Sequence, residues 1–230
     1  PDNMDFVLRQ GIDKDKTAIT RIGNALDSAH FVAPDKRDSG TADLEALGVA
    51  GEDVLMCIFR LEKVKLPEHL IRIVALLKGR GCKVKGLFVG DGSLREALGD
   101  LSEELGVADQ IVFCGNQDQI WLSRVIPLIS VVVAPLKGRA LAEAALGGAP
   151  IVAYDIDWHS EVIENGITGE LVPRLNYSLM ADAIEKIIQN EEYGRMIGAN
   201  VREQVLKMMD PHTITQTLIG VYDKLLTRSS

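Results

Sequence analysis

The sequence predicts an α/β fold, a Rossmann-like parallel sheet with helices on both faces. Short apolar runs alternate along the chain with longer stretches of helical character, which is the pattern of repeated βαβ units. The first apolar run, residues 55–59, is too short for a globular helix and suits a strand that is buried on both faces. The turns that follow several of these runs contain glycine, as expected where a strand gives way to a helix.

Each element can be placed from its pattern. Strands are predicted at residues 55–59, 84–89, 111–114, 130–134, 151–154 and 170–172. Helices are predicted at residues 67–78, 93–105, 117–126, 139–146, 177–188 and 191–208. A last helix, 210–226, opens with Asp210 as its N-cap and Pro211 in its first turn.

The N-terminal part of the chain has a weaker pattern. Short strands are predicted at 6–8 and 29–32 with a helix at 17–28 between them, and residues 35–43 have the composition of a polar loop or linker. Residues 1–50 are therefore predicted to be an N-terminal segment with a linker. They are either the tail of a preceding domain or a remodelled local element, whereas residues 51–230 form the Rossmann-like domain with its C-terminal helices.

Composition limits the classes of function. The chain has 230 residues, of which 47% are hydrophobic, enough for one substantial core. A net charge of −8 argues against a general binder of nucleic acid or of anionic membranes, because these proteins use basic surfaces. The three cysteines, Cys57, Cys82 and Cys114, are an odd set without metal-ligand spacing, so we expect reduced thiols that serve packing and a cytoplasmic location.

The segment after the fourth predicted strand has the features of a ligand site. Its carboxylate, Glu143, lies just inside the helix that follows the strand. In an open parallel sheet, small molecules bind in the crevice outside the carboxyl ends of the strands. Gly138 opens the turn there, and the start of the helix, Arg139, Ala140 and Leu141, offers backbone N–H groups to a ligand.

This segment, PLKGRALAEAALGGAPIVAYD, resembles the group 1 family of retaining glycosyltransferases, which have the GT-B fold. The family pattern usually reads E-G-F-G-x-x-x-x-E-A-x-A-x-G-x-P-V-V-A. Gly138 matches its second glycine, Glu143 its second glutamate, and Gly148 the glycine that precedes the proline by two positions. Its first glutamate is replaced by Pro135.

A second motif of the family occurs upstream. The segment FRLEKVK is similar to G-R-L-x-x-x-K-G, in which the arginine and the lysine bind the donor diphosphate. Arg60 and Lys65 match these cations, whereas Phe59 and Leu66 replace the two glycines. An arginine and a lysine at a strand end can converge on one anion, the arginine as a planar fork and the lysine as a point charge.

Two glycine turns complete the resemblance, which covers about residues 54–192. The first, with Gly90, Asp91 and Gly92, matches V-G-D-G-x-L-R-x-x-L. The second, with Gly115 and Asn116, matches V-x-F-x-G, and in the family the loop after that glycine holds the nucleotide base. Each motif is weak by itself, but four of them in the right order are fairly specific.

The resemblance implies that this chain is the nucleotide-binding C-terminal half of a GT-B enzyme. The substrate would be a UDP- or GDP-linked sugar, transferred to an acceptor hydroxyl with retention, and no cofactor or metal is implied. Glu143 would accept hydrogen bonds from the ribose, and Arg60 and Lys65 would stabilise the leaving diphosphate. The N-terminal acceptor domain would be missing, which a start at Pro1 fits, and this half would be inactive by itself. Peripheral membrane contact, like acceptor binding, would occur only through the absent domain.

Plainer interpretations stay open. Glu143 could be an ordinary helix glutamate favoured by the macrodipole, Arg60 and Lys65 solvated charges, and the glycines simple turns. The replacements at Pro135 and Phe59 favour a degenerate GT-B domain that serves as a binding or interaction module. Another GT-B enzyme, such as a sugar epimerase or a phosphorylase-like transferase, is the third hypothesis.

Overall fold

The structure is a computed structural model that describes residues 31, 38–135, 139–156, 159–208 and 210–228. The predicted strands 6–8 and 29–32 and the predicted helix 17–28 lie outside the described residues, except for Phe31. Gly138 lies outside them as well.

A six-stranded sheet forms the centre of the fold. Its strands are β1 (Asp53–Ile58), β2 (Val84–Val89), β3 (Ile111–Phe113), β4 (Val131–Ala134), β5 (Ile151–Tyr154) and β6 (Glu170–Val172). Their order is β3-β2-β1-β4-β5-β6, and every neighbouring pair is parallel. The predicted α/β fold with a parallel sheet is confirmed.

Helices follow the strands. Those described are α1 (Asp38–Ala46), α2 (Glu68–Gly79), α3 (Arg95–Glu104), α4 (Gln119–Val125), α5 (Arg139–Gly147), α6 (His159–Val162), α7 (Tyr177–Gln189), α8 (Glu191–Met208) and α9 (Pro211–Arg228). Most bounds lie within two residues of the prediction. The short α6 was not predicted, since four residues carry no helical period.

The start of β1 shows why an apolar run underestimates a strand. The strand begins at Asp53, two residues before the predicted start, because Asp53 pairs with Val84 in the sheet. Its carboxylate accepts a hydrogen bond from Ser130 Oγ at 2.9 Å, and that oxygen accepts one from Val54 N at 3.1 Å. A polar residue with a partner on the neighbouring strand can therefore begin a buried strand.

The prediction of a polar loop or linker at residues 35–43 was wrong for its second half, where α1 begins at Asp38. Tertiary packing explains this helix, since Gly40 lies so close to α4 that a Cβ would overlap the carbonyl oxygen of Arg124. Arg124 Nε also donates to the carboxylate of Asp43 at 3.0 Å, and Leu44 is buried. Contacts with α4 thus stabilise a helix of low intrinsic propensity.

Both faces of the sheet are covered. On one face, Leu55 and Cys57 of β1 belong to a buried cluster that includes residues of α2 and α7. Because side chains alternate along a strand, Met56 points to the opposite face, and it is fully buried as well. The site at the edge of the sheet is therefore built on strands held rigidly from two sides.

The described residues fall into two compact units. One contains the sheet and ends at Val205. The other contains the end of α8, from Leu206 onward, together with α9. The predicted domain limits, 1–50 and 51–230, stay a prediction. Within the described residues, no helix combines the length and apolar character that crossing a membrane requires.

A buried polar contact joins α2 to the end of β5. Nδ1 of His69 lies 2.7 Å from the hydroxyl oxygen of Tyr154. The ring centroids of Tyr177 and of the imidazole are 5.4 Å apart. Burial lowers the pKa of His69 below its ordinary value; the charge of Glu68 opposes this shift, and that of Arg72 adds to it. The folded protein therefore favours the neutral imidazole.

We expect the burial of His69 to make stability depend on pH. Since the unfolded chain binds the proton at a higher pH than the folded chain, the contribution of His69 is present above about pH 6.5 and is lost as the pH falls through the lowered folded pKa. Urea unfolding at pH 5, 6, 7 and 8 should show a slope of at most about 1.4 kcal/mol per pH unit from this group. The His69→Asn variant, which keeps a side chain able to bond Tyr154, should show a flatter profile. Parallel profiles for the two proteins would contradict the prediction.

Candidate functional site

The loops that follow β1, β2 and β3 lie side by side at the carboxyl edge of the sheet. Leu61 N donates to Asp91 O at 3.0 Å, and Leu94 N donates to Leu61 O at 3.0 Å. Gly90 N donates to Gly115 O at 2.8 Å. Backbone hydrogen bonds thus join the three loops in which the sequence predicts site residues.

Gly90 and Gly92 are required by the close approach of these loops. Gly90 has a φ of +132°, and a Cβ there would overlap the carbonyl oxygen of Phe59. A Cβ on Gly92 would lie 2.6 Å from Leu61 O. The exposed Asp91 accepts a hydrogen bond from Gly92 N at 2.8 Å through Oδ1. The two glycines therefore serve loop packing, and their predicted contact with a ligand, like that of Asp91, stays a prediction.

The loop after β1 carries both predicted cations. Arg60 is exposed, and Lys65 ends a single 3₁₀ turn, Lys63–Lys65, in which it is half-buried. Leu66 follows with a φ of 53°, in the left-handed region where the family pattern has glycine. A leucine in this conformation lowers the stability of the fold by about 1 kcal/mol, but the backbone still forms the left-handed turn. The replacement of that glycine therefore does not remove the turn.

Glu62, on the same loop, was not predicted as a site residue. Its Oε2 accepts a hydrogen bond from Ser93 Oγ at 2.8 Å, and its Oε1 accepts one from Ser93 N at 3.2 Å. These hydrogen bonds, chiefly that from the backbone N–H, lower the pKa of Glu62. The contact joins the predicted phosphate loop to the turn that begins α3.

Glu143 lies within α5, and only 8% of its surface is exposed. Gln119 Nε2, at the start of α4, lies 3.4 Å from Glu143 Oε1. The neighbouring Ala142 and Ala144 are buried as well. Few glutamates are this buried unless they are paired or used, which favours a functional carboxylate over an ordinary surface one.

The start of α5 is described from Arg139 onward. Ala140 is half-buried, and the side chain of Leu141 is buried in the core, so only its backbone can face a ligand. Pro135, which directly follows β4 and replaces the first family glutamate, is buried. The predicted roles of Gly138, Arg139, Ala140 and Leu141 stay predictions.

The predicted base loop leads into α4, whose first residue, Gln119, contacts Glu143. Gly115 has a φ of 70°, and Asn116 is exposed. Asp118 caps α4 by accepting a hydrogen bond from Trp121 N at 2.7 Å. This cap fixes the first residue of α4, Gln119, at the carboxyl edge of the sheet. The sequence offered one signal for Gln119, the position directly after an N-cap that follows a strand and a glycine turn.

The fold and the family model define the class of protein. The sheet is parallel, and open parallel sheets bind ligands in the crevice outside the carboxyl ends of their strands. The sequence model of the family described as "Glycosyl transferases group 1" matches residues 43–204. The chain belongs to the group 1 glycosyltransferase family.

Comparison with individual proteins gives the extent of the match. The chain is 25% identical over 185 residues to the alpha-D-kanosaminyltransferase of Streptomyces kanamyceticus, and the match covers 79% of this chain and 48% of that protein. Its structure is similar to Anabaena HepE in complex with UDP, with a TM-score of 0.82 and 22% identity over 94% of this chain and 60% of that one. The chain therefore spans about half the length of the curated relative.

One solved structure has a similar extent. The C-terminal domain of LpcC, a group 1 family glycosyl transferase from Francisella tularensis, matches with a TM-score of 0.68 and 19% identity. The match covers 80% of this chain and 97% of that one. The prediction that this chain resembles the C-terminal domain of a group 1 glycosyltransferase with the GT-B fold is confirmed.

Proposed function

We propose that the chain is the donor-binding domain of a glycosyltransferase. It binds a UDP- or GDP-linked sugar, and the sugar is transferred to an acceptor hydroxyl with retained anomeric configuration. The observation that supports this proposal most strongly is the nearly buried carboxylate of Glu143 at the carboxyl edge of a parallel sheet, beside Gln119. The complex of the structural neighbour HepE with UDP agrees with it.

Each part of the donor has a proposed partner. The carboxylate of Glu143 accepts hydrogen bonds from the ribose hydroxyls. Gly115 and Asn116 contact the base, and Gly138, Arg139, Ala140 and Leu141 offer backbone N–H groups to the phosphates. The glycine turn at Gly90, Asp91 and Gly92 borders the phosphates.

Arg60 and Lys65 supply the chemistry. As the bond between the sugar and the diphosphate breaks, negative charge develops on the leaving diphosphate. Two fixed cations stabilise that charge more than they stabilise the bound donor, which lowers the barrier. In this proposal they fill the electrostatic role that a metal has in other transferases, so no cofactor is needed.

We expect the acceptor to bind to a second domain outside this chain, which agrees with a match to about half the length of the curated relative. The isolated domain should therefore bind donor without transferring the sugar. Contact with a membrane, if the enzyme makes one, would occur through that domain. The predicted cytoplasmic location stays a prediction.

A second candidate function is a binding or interaction module with a degenerate donor site. The buried Pro135 favours it, because proline has no side-chain acceptor to replace the glutamate that lies by the sugar ring in the family. This change affects the sugar end of the site and leaves Glu143 in place. We therefore expect nucleotide binding to be retained even if transfer is lost.

Calorimetric titration of the chain with UDP, GDP and ADP at low salt tests the proposal. We expect one of the uridine or guanosine nucleotides to bind with a dissociation constant of about 10 μM to 1 mM, a moderate free energy for a site with half of its enzyme absent. Raising the salt should weaken binding, because Arg60 is exposed and Lys65 is only half-buried.

Uridine and guanosine serve as controls without phosphate and should bind much more weakly than their diphosphates. Circular dichroism and size exclusion establish that the titrated chain is folded. No binding of any nucleotide diphosphate by the folded chain would contradict the proposal and favour an interaction module that has lost the nucleotide end of the site as well.

A further inference from the structure

The strongest unassigned feature of the site is the contact between Glu62 and Ser93. Glu62 lies between the two proposed diphosphate ligands, Arg60 and Lys65, so a negative charge stands inside a loop expected to bind an anion. On charge alone, this carboxylate should weaken diphosphate binding. The hydrogen bonds of Glu62, however, indicate that its side chain holds the loop in place.

The carboxylate is bound to the neighbouring turn. Both of its oxygens accept hydrogen bonds from Ser93, one from the hydroxyl at 2.8 Å and one from the backbone N–H at 3.2 Å. A helix N-terminus with free N–H groups is a common place for phosphate. Ser93 lies in the turn directly before α3, and its N–H already donates to Glu62, so the chain itself supplies an anion at this turn.

The backbone of Glu62 is bonded to both cationic residues. Glu62 N donates to Arg60 O at 2.8 Å, and Lys65 N donates to Glu62 O at 2.7 Å. Fixing the side chain of Glu62 on Ser93 therefore fixes the backbone from which Arg60 and Lys65 project. The adjacent hydrogen bonds of Leu61, one to and one from the same turn, hold the base of this arrangement.

We propose that Glu62 is a positioning residue that sets Arg60 and Lys65 in their diphosphate-binding geometry by anchoring their loop to Ser93. The inference rests on the proposed function. Charge and anchoring predict opposite effects of removing the Glu62 side chain. Loss of its negative charge should raise the affinity for the diphosphate, whereas loss of the anchor should lower it, and we expect the affinity to fall.

Titration of Glu62→Ala and Ser93→Ala with UDP and UMP tests the inference, with GDP and GMP used if the chain binds guanosine nucleotides. Loss of a hydrogen-bonded carboxylate should lower the affinity for the diphosphate about tenfold, and loss of the single hydroxyl about threefold. The affinity for the monophosphate should change less than about twofold, since one phosphate engages the loop less fully than two. A general loss of structure would lower both affinities together.

Ser93→Ala protects the test from a folding artefact, because Ser93 is exposed and the variant keeps the charge of Glu62. The matched charge control is Glu96→Ala, which removes an exposed glutamate from the first turn of α3. It should leave the ratio of the two affinities unchanged.

The outcomes are distinct. A lowered ratio of diphosphate to monophosphate affinity in both variants supports the inference. Unchanged or increased diphosphate affinity in Glu62→Ala overturns it, while the proposed function stands because the wild-type chain still binds. Failure of the wild-type chain to bind either diphosphate overturns the proposed function and this inference together.

Discussion

Gly90→Ala is expected to lower the free energy of unfolding by about 3 kcal/mol or more, a large effect for one methyl group. The φ of Gly90, +132°, is a conformation that residues with a Cβ rarely adopt. The added Cβ would also overlap the carbonyl oxygen of Phe59, which is backbone and cannot rotate away. Relaxation would require breaking the hydrogen bond from Gly90 N to Gly115 O. Urea unfolding of the variant and the wild type measures the difference.

Gly99→Ala is the matched control. Gly99 lies in α3, and a Cβ there would meet no atom within 4 Å. The substitution should therefore raise the free energy of unfolding by about 0.5–1 kcal/mol through helix propensity. If Gly90→Ala were destabilised by less than about 1 kcal/mol, the loops after β1 and β2 would have to separate freely, contrary to the geometry described.

Glu143→Ala is expected to weaken binding of the preferred nucleoside diphosphate about 100-fold. Two hydrogen bonds from ribose hydroxyls to a carboxylate contribute about 1.5 kcal/mol each, and 1.4 kcal/mol corresponds to a factor of ten in affinity. The variant should stay folded, because alanine is the best helix former and Glu143 lies within α5. Calorimetry with UDP or GDP measures the change.

The 2′-deoxynucleotide makes this test specific to the ribose. The wild-type chain should bind dUDP or dGDP about tenfold more weakly than the ribonucleotide, because one hydroxyl donor is lost. Glu143→Ala should no longer distinguish the two nucleotides. Gln119→Ala is a useful comparison, since it removes the neighbour of Glu143 and keeps the carboxylate. Continued discrimination against the deoxynucleotide in Glu143→Ala would place the ribose elsewhere.

The sequence was sufficient for most of the sheet because its strands are buried on both faces. β2 and β5 have the predicted bounds, since their apolar runs coincide with the paired residues. The start of β1 at Asp53 and the helix at Asp38–Ala46 were both missed, and one cause explains the two. In both cases a polar segment is held by a partner distant in sequence, Ser130 for Asp53 and α4 for the helix.

Contacts between residues distant in sequence also explain which candidate site residues were missed. Local motifs were enough to predict Arg60, Lys65 and Glu143 as site residues, because each lies in the segment that follows one strand. Glu62 and Ser93 are 31 positions apart, and Gln119 and Glu143 are 24 apart. No local pattern signals such pairs, and only the parallel order of the strands brings their loops together.

The hydrogen bonds among the loops after β1, β2 and β3 also limit how such a site can be redesigned. A designer who replaced only the turn around Gly90 with that of a relative would alter the acceptor for Leu61 N and the donor to Gly115 O at once. Under the proposed function, the preference for a particular nucleotide sugar should therefore be transferable only when the three loops are grafted together. In natural sequences, for the same reason, substitutions in one of these loops should be accompanied by substitutions in the other two.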